Sequence, residues 1–475
     1  MKTRIGFLLA ALLLLAAQTR AEDLKDYFVE AQQRMNKTVL RNLRLFDPYT
    51  GTITEPKDVL IENGLVKEVL GAGSGTPAPV NIDCDGQFGV AGMFDCHTHL
   101  AHLTNQSPDS LRAALEAFVR SGVMEVRDVG GPLDRISALS RQCARNEFIG
   151  PEIFYAGPML EASPLMWAKV NEILPGFTVP IDTDAQVDSI VAALKAQGAC
   201  MVKTFNHIDP AVYRHVVEAA NRAGLKIVHD PGTPLFHWMP IDKALDLGVT
   251  SFEHAKAPWP VVLKDDLRAQ QDAATGPDVA PLAQMAVMMQ AAERRMEAVS
   301  LARLDSLADR MAAQNAVLCP TLYVFREFVE ALKPDSSAAP ADSQPAGPEA
   351  MKRKVITAMD DVSRAFVREM AAHHVKMLVG QDGCTPGATL EEMQLLRDCG
   401  VPDVEILRGA TLYPAEWLGV SDRYGSISPG RVANIVVVKA DPTAHCGNMD
   451  TILFAMRRGV ILSSGKPGPA VLGTR

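Results

Sequence analysis

Two closely spaced histidines stand out in the segment GMFDCHTHLAH, which covers residues 92–102. His97 and His99 are two positions apart, so on an extended strand both side chains point to the same face. Imidazole nitrogens are common ligands for zinc and other transition metals. A lone His-x-His pair also occurs in purely structural settings, so its interpretation depends on which other residues the fold brings to the same place.

Four further polar residues lie in or directly after short apolar stretches that read as buried strands, namely Lys203, His229, His254 and Asp382. Lys203 is the most unusual of them, because the stretch ACMVKTF is otherwise apolar and an unpaired ammonium is costly in a strand buried on both faces. The intervals from Lys203 to His229 and from His229 to His254 are 26 and 25 residues, and each fits one strand–helix unit. Together with His97 and His99, these residues predict a metal centre.

Eight apolar stretches, most of them separated by helical segments, give the middle of the chain the rhythm of an α/β fold, specifically a (β/α)₈ TIM barrel. The predicted strands cover residues 93–100, 123–131, 152–160, 199–205, 225–230, 249–255, 316–322 and 375–383. Barrel enzymes carry their reactive side chains at the C-terminal ends of the strands, where all the candidate residues fall. Residues 260–315 form an insertion longer than one helix, and residues 334–349 predict a solvated linker or mobile loop.

Tyr323 and Arg326 follow the predicted seventh strand. In a barrel these two side chains would face the metal centre from its rim, and the planar guanidinium of Arg326 suits a substrate carboxylate. The alternative is that Arg326 pairs with Glu327 or Glu330 on a following helix.

The N-terminal residues 1–21 have the pattern of a secretory signal peptide, with Lys2 and Arg4 before an apolar run and small residues before a cleavage point after Ala21. The run is too short to span a bilayer, so we expect an exported, periplasmic or secreted protein without a stable membrane anchor. A short hydrophobic anchor is the alternative. The formal net charge of −9 disfavours a nucleic-acid partner. The eight scattered cysteines predict buried thiols rather than a disulfide framework.

The sequence resembles the amidohydrolase superfamily of metal-dependent hydrolases, in its binuclear, dipeptidase- and imidazolonepropionase-like branch. The segments that carry the resemblance are HTH (97–99), VKTF (202–205), IVHD (227–230), FEHA (252–255), GQDG (380–383), ATLYPAEWLGV (410–420) and GSISPGRVANIVVVKADP (425–442). The resemblance implies that the strand-like flanks, residues 22–92 and 421–475, form a composite β-sandwich beside a barrel of residues 93–420.

The resemblance also implies a ligand set. His97, His99 and Asp382 would hold one metal ion, and His229 and His254 would hold a second. Lys203 would be N-carboxylated by CO₂ or bicarbonate and would bridge the two ions. Imidazole and carboxylate ligands favour two Zn²⁺ ions, with other divalent transition metals as alternatives.

The expected reaction is hydrolysis of a C–N amide bond in a small peptide or an N-acyl amino acid by a metal-bridging hydroxide, with Asp382 as proton shuttle. The same ligands would serve an ester, a lactone or a cyclic amide. A catalytically silent metal-dependent binding protein is the alternative of another class, and the intact ligand set argues against it. The expected partner is a small-molecule or dipeptide substrate, and a homo-oligomer is compatible with the sequence.

Two departures from similar proteins leave the substrate open. Gln381 stands where Thr or Ser usually precedes the strand-eight aspartate, and the loop at 161–176 lacks the histidine that many dipeptidase-like members carry after strand three.

Overall fold

The structure is a computed structural model that describes residues 37–232, 238–274, 281–332 and 348–463. The predicted signal peptide and most of the predicted linker at 334–349 lie outside the described residues. Among the helices that are described, none has the length and apolar character needed to cross a membrane.

The strands occur in three groups along the chain. In chain order they are β1 (Lys37–Asp47), β2 (Thr52–Ile53), β3 (Lys57–Glu62), β4 (Leu65–Gly71), β5 (Val80–Asp83), β6 (Phe88–Ala91), β7 (Met93–Thr98), β8 (Val123–Asp128), β9 (Glu152–Tyr155), β10 (Met159–Glu161), β11 (Thr178–Pro180), β12 (Met201–Thr204), β13 (Lys226–His229), β14 (Ser251–Glu253), β15 (Val317–Cys319), β16 (Lys376–Met377), β17 (Ile435–Val438), β18 (Ile452–Arg457) and β19 (Val460–Ser463).

Helices separate most of the strands in the middle of the chain. They are α1 (Pro108–Arg120), α2 (Leu133–Ala144), α3 (Ala168–Ile173), α4 (Asp184–Ala196), α5 (Pro210–Ala223), α6 (Ile241–Asp246), α7 (Trp259–Val262), α8 (Asp265–Ala273), α9 (Pro281–Arg294), α10 (Leu301–Ala313), α11 (Leu322–Ala331), α12 (Pro348–Ala372), α13 (Ala388–Asp398), α14 (Asp403–Gly409) and α15 (Leu412–Leu418). Three short 3₁₀ helices cover Leu100–Asn105, Arg295–Ala298 and Cys446–Asp450.

The middle of the chain forms two parallel sheets. One has the order β7-β8-β9 and the other the order β11-β10-β12-β13-β14-β15-β16. Each of the eight predicted stretches contributes to these sheets, and the third one is split into β9 and β10, which lie in different sheets. The alternation of strands with helices and the parallel pairing confirm the predicted α/β class.

Backbone hydrogen bonds connect the two parallel sheets outside the assigned strands. On one side, the amide of Cys96 donates to the carbonyl of Val379 at 2.7 Å, and the amide of Asp382 donates to the carbonyl of His97 at 2.9 Å. On the other side, the amide of Cys200 donates to the carbonyl of Tyr155 at 3.2 Å. These bonds are isolated and do not extend the strand pairing from one sheet to the other. The strands therefore do not form one continuous closed cylinder.

The strands from the two ends of the described chain share a third sheet, with the order β19-β18-β17-β6-β1-β3-β4. Strand β6 pairs with β17, so that Val90 lies opposite Val436. Asn63 and Gly64 connect β3 and β4 with φ angles of 54° and 77°, as a tight two-residue hairpin turn requires. Leucine, isoleucine and valine side chains from both ends of the chain form one buried cluster beneath this sheet.

Gly92 joins this third sheet to the first strand of the parallel sheets. A Cβ atom at this position would lie 2.6 Å from the Cβ of Met124, so no larger residue fits there without a shift. The amide of Gly92 donates to the carbonyl of Asn434 at 2.8 Å. The strand that carries His97 is therefore fixed directly to the strands from the C-terminal part of the chain.

The remaining predictions on organisation concern the insertion and the cysteines. The insertion at 260–315 forms a run of helices that includes α8, α9 and α10. All eight cysteines are free thiols that are buried or half-buried, as predicted.

Candidate metal centre

The candidate residues lie at the C-terminal ends of the parallel strands. His97 belongs to β7, Lys203 to β12 and His229 ends β13, whereas His254 directly follows β14. His254 and Asp382 have φ angles of 67° and 59°. Such angles are uncommon for residues other than glycine and concentrate at functional sites, where the surrounding structure enforces them.

Asp382 brings three histidines together. Its Oδ1 atom lies 3.1 Å from Nε2 of His99 and 3.4 Å from Nε2 of His97. Its Oδ2 atom lies 3.8 Å from Nδ1 of His254. One nitrogen each of His97 and His254 and one oxygen of Asp382 lie within 4.8 Å of one another, a separation that a single metal ion can bridge.

The other ring nitrogens of His97 and His99 determine which atoms face Asp382. Nδ1 of His97 is 2.6 Å from a carboxylate oxygen of Glu253, and Nδ1 of His99 is 2.9 Å from the carbonyl oxygen of Gly130. Both partners are acceptors, so each Nδ1 carries a proton and each Nε2 is the nitrogen that faces Asp382. Lone pairs that converge on a carboxylate fit a divalent cation, and this donor set is the one that zinc prefers.

The charges around these groups shift their pKa values in opposite directions. Burial, assisted by the charge of Lys203, lowers the pKa of His97 to about 4 and keeps the ring neutral. Burial opposes protonation of His99 as well, but the hydrogen bond and charge of Asp382 outweigh it and raise the pKa of His99. The same histidines hold the pKa of Asp382 well below its usual value, despite the burial of the carboxylate. A cation at this position would replace a proton on His99.

Lys203 lies beside a second carboxylate that the sequence analysis did not select. The side chain of Lys203 is fully buried, and within the described ranges its Nζ atom has no hydrogen-bond partner. Oδ2 of Asp230 is 3.3 Å from this Nζ atom and 3.0 Å from Nε2 of His254. Burial would raise the pKa of Asp230, but His254 and Lys203 hold it well below its usual value. Asp230 therefore links Lys203 to the histidine group.

His229 is oriented away from the group around Asp382. Its Nε2 atom is 3.1 Å from the carbonyl oxygen of Met239, to which it donates. Its Nδ1 atom is 3.0 Å from both the hydroxyl of Thr204 and the hydroxyl of Tyr213, and accepts from them. Burial lowers the pKa of His229 to about 4. In this orientation neither ring nitrogen faces the candidate metal position, and the role of His229 as a ligand stays a prediction.

A buried ion pair orients His97. The guanidinium of Arg127 donates to Glu253 at 2.6 Å, and both side chains are fully buried. Burial would raise the pKa of Glu253, but the charge of Arg127 and the contacts with His97 lower it to about 2. Glu253 stays ionised and fixes the tautomer of His97, as acidic partners do for metal-bound histidines in general.

The predicted substrate residues lie at the start of α11. Arg326 forms an ion pair with Glu391 and is 3.6 Å from Glu327. Its guanidinium also stacks 5.1 Å from the ring centre of Tyr323. Its charge is thus compensated by carboxylates, one of which the sequence analysis named as the alternative partner.

Lys256 is a cation next to His254 that was not predicted from the sequence. It is two residues past His254, donates to the carbonyl of Gly232 at 2.9 Å, and lies 5.7 Å from the ring centre of Phe325. Burial lowers its pKa, and the charges of Asp230 and Asp382 oppose this shift. A charged residue in or next to a buried strand was the signal available for Arg127, Glu253 and Asp230, since a charge in a buried strand had also selected Lys203.

Comparisons with known proteins agree with the predicted resemblance. The model of the amidohydrolase family matches residues 344–463. A dihydroorotase from Desulforapulum autotrophicum is 31% identical over 88 residues, which cover 18% of this chain and 20% of that protein. An imidazolonepropionase from Bradyrhizobium sp. is 28% identical over 128 residues, which cover 27% of this chain and 30% of that protein. The chain thus spans about a fifth to a third of the length of these curated relatives.

The likeness in three dimensions extends over most of the chain. A solved structure of a Xaa-Pro dipeptidase with bound methionine in the active site aligns with a TM-score of 0.64 and 18% identity. The alignment covers 90% of this chain and 100% of the dipeptidase chain. At this level of identity the comparison shows a shared fold.

Proposed function

We propose that the chain is a metal-dependent hydrolase of the amidohydrolase family that cleaves a C–N amide bond in a small peptide or an N-acyl amino acid. The match of the amidohydrolase family model to residues 344–463 supports this proposal. The observation that carries the proposal is the convergence of two imidazole nitrogens, from His97 and His99, on the carboxylate of Asp382, with Lys203 buried beside Asp230. Imidazole nitrogens and a carboxylate that converge in this way are the ligands that divalent transition metals prefer.

The residues of the site have separate roles in this proposal. His97, His99 and Asp382 would hold one divalent ion, and His254 would hold a second, with Lys203 in its carboxylated form between them. Two such ions, most suitably Zn²⁺, would lower the pKa of a water molecule and polarise the scissile carbonyl. Asp382 would accept the proton of the attacking water and deliver it to the nitrogen of the leaving amine. The products are a carboxylate and an amine.

The surrounding architecture belongs to the same proposal. We infer that the two parallel sheets act as one (β/α)₈ barrel with its reactive side chains at the strand ends, and that the terminal strands act as a composite β-sandwich beside it. Export of the chain would place the hydrolase in the periplasm or outside the cell, where it would meet peptides from the surroundings. His229 would have to rotate away from Met239 to act as a ligand.

The test is a metal-supplemented substrate screen on the mature protein. We expect purified protein to bind about two divalent ions per chain and to hydrolyse members of a panel of dipeptides and N-acyl amino acids only when the ions are present. Asp382→Asn serves as the control, because it keeps the size of the side chain but removes its basic site. Full activity with one ion and no capacity for a second would contradict the binuclear site. Hydrolysis of esters or lactones with no amide turnover would reassign the substrate class.

A further inference from the structure

Asp95 is a buried carboxylate that lies two residues before His97. Four donors within the described part of the chain point at it: the side-chain amide of Gln381 at 2.7 Å, the hydroxyl of Thr389 at 2.7 Å, and the backbone amides of His97 and Gln381 at 3.2 and 3.3 Å. A buried carboxylate is stable when donors of this kind surround it. Asp95 therefore connects the strand that carries His97 to the segment that carries Asp382.

Gln381 uses both ends of its side-chain amide. Its nitrogen donates to Asp95, and its oxygen accepts from the backbone amide of Thr385 at 2.9 Å. The second bond closes the turn of residues 381–385 around Asp382. The backbone of this turn is also bound to β7, since the amide of His99 donates to the carbonyl of Gly383 at 3.0 Å.

This arrangement explains how Asp382 keeps its positive φ angle. A residue in such a conformation needs its surroundings to hold it there. A serine or threonine at position 381 would end at its hydroxyl, two bonds short of the glutamine amide, so it could not make both contacts from the same backbone position. Gln381 is fully buried, which leaves the amide no alternative partner in solvent.

We propose that Gln381 and Asp95 form a positioning pair that sets the carboxylate of Asp382 against His97 and His99. The inference rests on the proposed function, because its purpose is to pre-organise the metal ligands. Both side chains are fully buried. Both act through Asp382 and the strand of His97.

Thr389 supplies a matched control within the same network. Its hydroxyl donates to the same oxygen of Asp95, Oδ2, at the same 2.7 Å as the amide of Gln381. Thr389 lies on α13, whereas Gln381 lies next to Asp382. Loss of either bond removes one donor from Asp95, but only loss of Gln381 releases the turn around Asp382.

The experiment compares Gln381→Met and Thr389→Val with the wild-type full-length protein. Two quantities are measured: the affinity for Zn²⁺ by competition with a chromophoric chelator, and the thermal unfolding midpoint of the metal-free protein. We expect similar decreases in the midpoint but a decrease in Zn²⁺ affinity of about tenfold to a hundredfold in Gln381→Met only, the range found for residues that support metal ligands. Gln381→Asn, which keeps the amide but shortens its reach, should lose affinity too and carries the test if the Met variant does not fold.

Equal losses of affinity in the Gln381 and Thr389 variants, or wild-type affinity in both Gln381 variants, would overturn the positioning role and leave the proposed function standing. A wild-type chain that binds no divalent ion in the same titration would overturn the proposed function, and the positioning pair with it.

Discussion

Replacement of Arg127 by methionine should destabilise the metal-free protein strongly, because it removes the only cation that forms an ion pair with Glu253 in the described structure. Loss of one partner of a buried ion pair costs about 3–5 kcal/mol, since the other charge stays buried without compensation. The decrease in the pKa of Glu253 gives a similar free energy. Its decrease from 4.5 to about 2 corresponds to roughly 3 kcal/mol at neutral pH, and Arg127 is its largest favourable cause.

The sign of the pH dependence follows from the direction of that shift. The folded-state pKa of Glu253 lies below the unfolded value, so its stabilising contribution is complete above about pH 4.5 and is lost as the pH falls towards 2. In Arg127→Met the pKa of Glu253 should rise, and the loss of stability should begin at a higher pH than in the wild type.

The assay is a double-mutant cycle that combines Arg127→Met with Glu253→Gln. Urea unfolding at pH 7 in the presence of a chelator gives the free energy of unfolding of each variant. Each single variant leaves one buried charge without its partner, whereas the double variant removes both charges and should be more stable than Arg127→Met alone. A contact that Arg127 makes elsewhere, such as its bond to the carbonyl of Cys96, cancels in the cycle. A coupling free energy below about 0.5 kcal/mol would refute the argument.

Four further predictions concern single positions. Lys203→Ala should lose most of the hydrolytic activity and regain part of it with a short carboxylic acid, whereas Lys203→Arg should not, because a guanidinium stays cationic; wild-type turnover in Lys203→Ala would end the carboxylation hypothesis. Asp382→Asn should decrease kcat by roughly 10² or more, and a decrease in metal content at unchanged kcat would make Asp382 a ligand only. Burial raises the pKa of Glu125 from 4.5 to about 8, so the protein should lose stability as the pH rises between these values, and Glu125→Gln should flatten that dependence in pH-dependent urea unfolding. If Arg326 exchanges Glu391 for a substrate carboxylate, Arg326→Ala should raise KM for substrates with a free carboxylate about tenfold or more but not for amidated ones. Lys256→Met tests the cation next to His254 in the same way. Equal effects on both substrate types would reject a carboxylate-binding role.

The parts of the site that follow from local sequence were predictable. The spacing of His97 and His99 requires only the two-residue period of a strand, and Lys203 was visible as a charge in an apolar segment. A parallel strand ends where its apolar stretch ends. His254 and Asp382 follow two such stretches, so they could be predicted to lie at the same edge of the parallel sheet.

The parts that depend on distant residues were not predictable. Asp95 and Gln381 are 286 positions apart, and no pattern in the residues around either of them predicts the contact. The orientation of His229 depends on the carbonyl of Met239 and on hydroxyls from β12 and α5. The same holds for the ion pairs of Arg127 and Arg326. A charged residue in the sequence indicates that it needs a partner of opposite charge, but the sequence does not identify that partner.

The shared sheet of terminal strands has a consequence for the order of folding. Val90 and Val436 are opposite one another on β6 and β17, although more than two thirds of the chain separates them. During synthesis from the N-terminus, β6 has no partner on that side until β17 has been synthesised. Contacts of such long sequence separation form slowly, because the intervening loop must be closed first. The strand of His97 follows β6 after a single glycine, so the candidate metal centre should become rigid only after β17 has docked on β6.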